Sequence, residues 1–349
     1  MDDLSNDYSI EFSRTSLLVM IILFSLLIVY IIMVGVEKVV SSIFRANLMI
    51  LGFAMILYYS SLLVRSLRWK IFLKSLTFQT EENISYLNIY SLIAFSFALN
   101  NLFPLRMGEL YRPYEFSKRY NYTVISSFAT VILERTFDVV FMGALIIVTA
   151  TLHGLGTMIN TSEIFGNILF SLGIILGFII LLLILSKEET TFFVVRILNA
   201  LSGLVQKKII KDEEQTAQRV AKEVSTLIWN RRIIFFGCLL SFIIWTMEGF
   251  VFWTVAMSMN IEIPLLMAIF ILLLAGLIGN SITSASGLSQ LPFMVAQLIL
   301  FLGISQDLAL SLSLVYLLIV FWLIVPIGTL LRELERFLFK KELEFDEIV

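Results

Sequence analysis

Five stretches of this chain are apolar almost throughout: Ser16 to Val36, Ala46 to Val64, Ile164 to Ser186, Ile233 to Met257 and Leu308 to Leu331. Each approaches or exceeds the roughly 20 residues that carry an α-helix across about 30 Å of hydrocarbon. Inside hydrocarbon a backbone must satisfy its own hydrogen bonds, and segments of this length do so as helices. Thr123 to Thr151 is long enough as well, although it carries three charges. With 59% hydrophobic and 15% charged residues and a mean hydropathy of +0.94, a soluble globular domain is excluded. The expected fold is an all-α polytopic membrane protein. The N-terminus lacks a basic segment followed by a short apolar core and a cleavage site, so Ser16 to Val36 is read as a retained helix.

The distribution of Lys and Arg sets the expected orientation. Arg65 to Glu82 holds four, Lys187 to Arg232 nine and the segment from Arg332 onward four, whereas the loops around His153, Asn260 and Gly303 hold none. The first three are expected on the cytoplasmic side. Ile84 to Phe103 breaks simple alternation, because basic residues flank it on both sides. A re-entrant hairpin resolves this: Ile84 to Asn100 enters from the cytoplasm, the chain breaks near Pro104, and Arg106 to Arg119 returns to the same side.

A second interrupted segment runs from Pro264 to Gly279, through the polar stretch Asn280 to Gln290, into Leu291 to Leu302. No Lys or Arg occurs from Ile233 to Leu331, so this hairpin would open to the outside. Asn101 precedes Gly108 by seven residues, and Asn280 precedes Gly287 by the same interval. The spacing suggests an inverted repeat, an arrangement in which interrupted segments build a site in mid-membrane; two unrelated kinked helices are the other reading. The expected architecture is six full spans plus two oppositely oriented re-entrant hairpins in one domain, residues 1–349. A first half over 16–186 and a second over 233–331 are joined by a cytoplasmic amphipathic connector over 187–232.

Charge at membrane depth is expensive, roughly 2.5 kcal/mol or more per residue on insertion scales, so such residues face a bundle interior or a watery cavity. Arg106, Glu109, Arg112, Glu134, Arg135 and Asp138 are therefore the candidate substrate-binding residues, with Asn101 beside them and Asn280, Ser284 and Gly287 in the second hairpin. Glu134 and Asp138 are four apart and share a helix face. Arginine suits this place because its fork binds phosphate bidentately and its hydration is weak. The competing reading is that these charges only pair with one another and pin the hairpin. Glu248, beside Trp245 and Trp253, is read as a hydrogen-bonded structural acid, and Arg68-Trp69-Lys70 as an anchor at the membrane interface. One cysteine, Cys238, excludes an intramolecular disulfide, and one histidine, His153, lies in a short polar loop. No catalytic residue, cofactor or metal is assigned, and no basic stretch with interleaved aromatics suggests nucleic acid.

The run Asn100-Asn101-Leu102-Phe103-Pro104-Leu105-Arg106-Met107-Gly108-Glu109, followed by Arg112, Glu134-Arg135 and Asp138, resembles the signature of the lysylphosphatidylglycerol synthase transmembrane-region family of flippase-like membrane proteins. Arg68-Trp69 fits as well. The family's second motif, a Pro-Gly-Gly-Leu-Gly stretch ending in Glu, is matched here only by Ala285-Ser286-Gly287-Leu288-Ser289, with Pro292 where the Glu would be. The resemblance implies movement of lipid-linked anionic or zwitterionic headgroups between leaflets. Some members carry a cytoplasmic aminoacyl-transfer or glycosyltransferase domain. No such domain fits here, since 18 residues follow Leu331, so an enzyme supplying the lipid would be a separate partner.

The expected function is that of a flippase for a phospholipid or a polyprenyl-phosphate-linked headgroup in the cell membrane, with both termini cytoplasmic. In this reading Arg106, Arg112 and Arg135 engage the phosphate while Glu109, Glu134 and Asp138 position them. The alternatives are an integral membrane enzyme acting on a lipid headgroup and a non-transporting partner subunit; membrane lipids are the partners in every case. In a Cys238-free background, cysteines placed at Ser75 and Ser117 should both react with a membrane-impermeant thiol reagent from the cytoplasmic side, and one at Ser162 from outside. Labelling of Ser75 and Ser117 from opposite sides would make the first hairpin a true span.

Overall fold

The computed structural model describes residues 46–76, 83–102, 106–120, 122–152, 227, 230–282 and 291–346. The expected spans at Ser16 to Val36 and Ile164 to Ser186, most of the 187–232 connector and the second hairpin's polar tip lie outside these residues. Every regular element among the described residues is helical. In chain order they are α1 (Leu48–Lys74), α2 (Tyr86–Leu102), α3 (Met107–Arg119), α4 (Val124–Leu152), α5 (Arg231–Ser258), α6 (Leu265–Ile282), α7 (Leu291–Leu302), α8 (Gln306–Leu317) and α9 (Ile324–Asp346). A π turn over Leu318–Trp322 joins α8 to α9. Among the described residues, Leu48–Lys74, Arg231–Ser258 and Gln306–Leu338 are helices long and apolar enough to cross a membrane.

Side-chain caps start the long helices. The Asn47 side chain accepts from the backbone N–H groups of Met49 (3.0 Å) and Ile50 (3.3 Å), and that of Asn230 accepts from Arg232 (3.0 Å). Each cap satisfies donors that have no partner within the helix. Asn47 N–H also donates to the Ser258 carbonyl at 2.7 Å, tying the start of α1 to the end of α5. The two helices run antiparallel from there, with Ser61 and Arg65 opposite Glu248 and Arg68 opposite Ser241. Large apolar side chains point outward along this pair, among them Ile56 (65% exposed) and Phe235 (61%), while Arg68 between the helices is fully buried. Apolar outside and charged inside is the reverse of a water-soluble bundle and fits a lipid surround.

α2 and α3 form a helical hairpin whose legs stay in antiparallel register throughout. The Ser85 N–H bonds the Tyr120 hydroxyl (3.1 Å) at the open end, Phe95 packs edge-on against Tyr111 (5.3 Å), and the Asn100 side chain accepts from the Gly108 N–H (2.9 Å) near the tip. Both legs thus begin and end together, as the re-entrant reading requires of the backbone. A Cβ on Gly108 would lie 1.9 Å from the Ser96 carbonyl oxygen, so glycine permits this close approach. The last helix docks along α2 in the same way. Gly328 faces the Ala94 carbonyl, and Asn101 Nδ2 donates to the Phe321 carbonyl at 2.7 Å.

Leu308 to Leu331, expected as a span, lies within the helix Gln306–Leu338, which carries a π turn where Leu323 N–H bonds back to the Leu318 carbonyl (2.9 Å). Pro326 follows directly and cannot donate to Trp322, so the ordinary ladder is already broken there. The helix then continues to Asp346 as an amphipathic rod. One sequence expectation is corrected: Arg65 and Arg68, expected in a basic cytoplasmic segment, are buried at 4% and 0% exposure because α1 runs on to Lys74.

Gly108→Ala should destabilise the detergent-solubilised protein by about 3 kcal/mol, the upper end for overpacking, because the obstacle is backbone. Gly52→Ala, at a helical glycine with nothing within 4 Å of an added Cβ, should leave the melting temperature unchanged or slightly raised.

Candidate functional site

Four helices bring their charges to one place. Arg65 and Arg68 come from α1, Glu109 and Arg112 from α3, Glu134, Arg135 and Asp138 from α4, and Glu248 from α5. Arg106 caps α3 in the left-handed region (φ 52°, ψ 47°), uncommon for a residue with a Cβ. Such strain persists where the surroundings over-determine it, and it clusters at functional sites.

Arg68 and Asp138 form the centre. Arg68 Nη1 and Nη2 reach the two Asp138 oxygens at 2.7 and 3.2 Å, Nη1 also donates to Ser241 Oγ (2.6 Å), and Nε lies 3.5 Å from Glu134 Oε1. Asp138 accepts further from Trp245 Nε1 (3.2 Å) and pairs with Arg135 Nη2 (3.3 Å). Arg112, stacked 4.8 Å over the Trp69 ring, is bonded to Glu134, and Trp69 Nε1 donates to Thr130 Oγ1 (2.9 Å). Arg68 and Trp69 therefore lie in the interior rather than at the interface where the sequence placed them. Only Lys70 of that tripeptide sits near the end of the hairpin, over Tyr86 at 5.8 Å.

A partly open cavity lies beside this centre. It is lined by the polar side chains of Tyr58, Arg65, Asn100, Asn101, Arg106, Glu109, Arg135 and Glu248 together with the apolar ones of Phe97, Trp245, Leu272, Val320 and Phe321. Arg106 Nη1 donates to Glu109 Oε1 (3.0 Å), and Arg135 Nη1 lies 3.6 Å from the same oxygen. These two arginines keep 30% and 27% of their side chains exposed, whereas Arg65 and Arg112 keep 5% and 3%. Arg65 stands between the Phe97 and Trp245 rings (5.3 and 5.2 Å) and donates to Glu248 Oε1 at 3.2 Å. Glu248 also accepts from Ser61 Oγ (3.1 Å) and so is a hydrogen-bonded acid in the cavity wall.

The sequence candidates thus divide. Arg106, Glu109, Arg135 and Asn101 line the cavity. Arg112, Glu134 and Asp138 lie behind it: Glu134 and Asp138 do share a face, but that face is turned to Arg68 of α1 rather than to the open space. Of the second-hairpin candidates, Ser284 and Gly287, with the Asn280 side chain, fall outside the described residues; Leu272 and Gly276 of α6 do reach the cavity. Sequence reasoning missed Arg65 and Tyr58, and it placed Arg68 at the interface instead of in the charged centre. A charge count carried a signal, since Glu109, Glu134, Asp138 and Glu248 outnumber Arg106, Arg112 and Arg135, and two more arginines stand three apart at the end of the preceding apolar run. Among the described residues no three His, Cys, Asp or Glu side chains are grouped to hold a metal ion.

The family model described as lysylphosphatidylglycerol synthase TM region matches residues 16–328. The chain belongs to this family. Its relatives include a UPF0104 membrane protein of Methanothermobacter thermautotrophicus, 25% identical over 317 residues (87% of this chain and 89% of the relative). Another, from Methanocaldococcus jannaschii, is 26% identical over 235 residues, covering 67% and 92%, and a third, from Pyrococcus horikoshii, is 24% identical and covers 85% and 90%. No solved structure matches. In this member of the lysylphosphatidylglycerol synthase TM region family, Asn100 and Asn101 at the end of α2 and Arg106 and Glu109 at the start of α3 line the cavity.

Asp138→Asn should lower stability by about 3 to 5 kcal/mol, because it strands the buried Arg68. Replacing both partners by apolar residues, Arg68→Met with Asp138→Leu, should recover most of that loss. Arg106→Ala, at a partly exposed pair whose Glu109 keeps Arg135 nearby, should cost about 1 kcal/mol. Thermal melts of the three proteins in one detergent measure the contrast.

Proposed function

We propose that this membrane protein moves a lipid with a phosphate-bearing headgroup between leaflets, the headgroup passing through the cavity at the hairpin tip while the acyl or prenyl chains stay in hydrocarbon. The observation that carries the reading is the cavity's lining: the guanidinium groups of Arg65, Arg106 and Arg135 stand among the aromatic and aliphatic side chains of Phe97, Trp245, Leu272 and Val320, with Glu109 and Glu248 beside them. A headgroup dragged through hydrocarbon unaided loses its hydration without compensation, at a cost far above thermal energy. Fixed arginine donors replace that water, and guanidinium gives up its own hydration more readily than ammonium does. Membership in a family named for a phospholipid-modifying synthase supports a lipid cargo.

In this proposal the protein resides in the cell membrane with both termini in the cytoplasm, and a separate glycosyltransferase or aminoacyltransferase makes the lipid it moves. The second hairpin, entering from the opposite side, completes an inverted repeat with Asn280, Ser284 and Gly287 at its tip. Arg112, Glu134 and Asp138 serve by holding the arginine-bearing wall in place.

Reconstitution into vesicles containing a fluorescent phosphatidylglycerol tests the reading. Leaflet exchange should run at least tenfold faster than in protein-free vesicles and fall at least tenfold with Arg106→Ala, while Arg106→Lys, which keeps the charge but loses the fork, should recover only part of the rate. Exchange at the protein-free rate would reject transport of that lipid, and a mass spectrum with an altered headgroup would make the protein an enzyme.

A further inference from the structure

The cavity wall holds donors that lack acceptors. Among the described residues, Arg65 Nε and Nη1 and the Tyr58 hydroxyl have no hydrogen-bond partner, and both side chains are buried, Arg65 at 4% and Tyr58 at 1% exposure. Arg65 Nη1 comes no closer than 4.0 Å to Asp138 Oδ2, an ion-pair distance rather than a hydrogen bond. A buried donor left unpaired is costly, and three of them on two residues that line the cavity call for acceptor oxygens of a ligand.

The charge of the surrounding cluster sets how much negative charge that ligand should bring. Arg65, Arg68, Arg106, Arg112 and Arg135 face Glu109, Glu134, Asp138 and Glu248, an excess of one positive charge among the described residues. The apolar runs Ser16 to Val36 and Ile164 to Ser186 and the stretches 103–105 and 283–290 contain no charged residue, so their sequence offers nothing to change the count. The network of Arg119, Arg332 and Arg336 with Glu115, Glu333 and Glu335 at the hairpin's open end is balanced within itself.

On the reading that the cavity takes a phosphate-bearing headgroup, we infer that it is matched to a single negative charge: a phosphodiester, whose oxygens accept from Arg65 and Tyr58 while Arg106 and Arg135 flank it. A phosphodiester brings the cluster to neutrality. A phosphomonoester, with a second pKa near 6, carries close to two charges above neutral pH and leaves one uncompensated in a low-dielectric site. A zwitterionic headgroup leaves the positive excess unanswered.

Binding of dihexanoyl phosphatidylglycerol, phosphatidic acid and phosphatidylcholine to the purified protein at pH 8, by calorimetry in a non-ionic detergent, tests this with tails held constant. Phosphatidylglycerol should bind roughly tenfold or more tightly than phosphatidic acid, the scale of one stranded charge. Glu109→Gln and Glu248→Gln each add one positive charge and should reverse that order. Arg106→Gln removes one and should shift preference toward phosphatidylcholine. Tyr58→Phe should weaken all three lipids and leave their order unchanged, separating the donor's role from the charge. The water-soluble pair glycerophosphoglycerol and glycerol phosphate asks whether the same order holds without a lipid tail. It should hold.

An equal or stronger affinity for phosphatidic acid in the unaltered protein, or an order that the charge variants do not move, overturns the charge rule while leaving the headgroup reading standing. Binding of none of the three lipids rejects the headgroup reading itself. Should one glutamine variant fail to fold, the other and Arg106→Gln, which act in opposite directions, still decide.

Discussion

The doubly bonded pair between Arg68 and Asp138 is the contact on which the other charges depend. It sits where α1, α4 and α5 meet, takes in Ser241 and Trp245 from α5, and leaves Arg68 fully buried. Neither charge is tolerable alone at that depth, so the three helices must close around both together. Once closed, the pair fixes the rotation of α4, and that rotation aims Arg135 and Glu134 in different directions. Arg135 reaches the cavity and Glu109, while Glu134 reaches Arg112 on the hairpin. The hairpin therefore hangs from α4 through one hidden and one cavity-side contact. Its open end is held separately by Arg332 and Arg119 against Glu115 and Glu335.

This division gives the cluster two kinds of charge. Pairs behind the wall are dry, multiply bonded and near zero exposure, and their energetic role is to make one packing of the helices far better than any other. Pairs on the wall are looser. Arg106 and Arg135 share a single Glu109 oxygen at 3.0 and 3.6 Å, with about a quarter to a third of each arginine side chain left exposed (30% and 27%). The left-handed backbone at Arg106 holds the first of these at the start of α3, with the helix's amide dipoles behind it.

Much of this was legible in the residues. Apolar runs of membrane length gave the helix class, and the break at Pro104 with basic flanks on both sides gave a hairpin whose legs return to one end. The motif from Asn100 to Glu109 marked residues that line the cavity. What the sequence concealed was the end of the helix before it. An arginine at the edge of an apolar run reads as the boundary of a span, and Arg65 and Arg68 stood where the run Ala46 to Val64 stopped. Their burial depends on acids 70 and 183 residues away in sequence, and no local pattern carries a contact of that range. The same limit explains Asp138. Periodicity placed it on one face with Glu134 but could not say which neighbour that face meets.

The π turn between α8 and α9 inserts one extra residue into an otherwise continuous rod. Because each residue of a regular helix advances the side chains by about 100°, the insertion sets the phase of everything below it against everything above. Above the turn the rod presents Tyr316 to Phe252 of α5; below it, Gly328 and Arg332 meet Ala94 and Ser91 of α2. A regular helix of the same residues would bring one of those faces into contact and turn the other away. The wide turn thus lets a single helix serve two neighbours in different directions, with the Asn101 bond to Phe321 at the point where its allegiance changes.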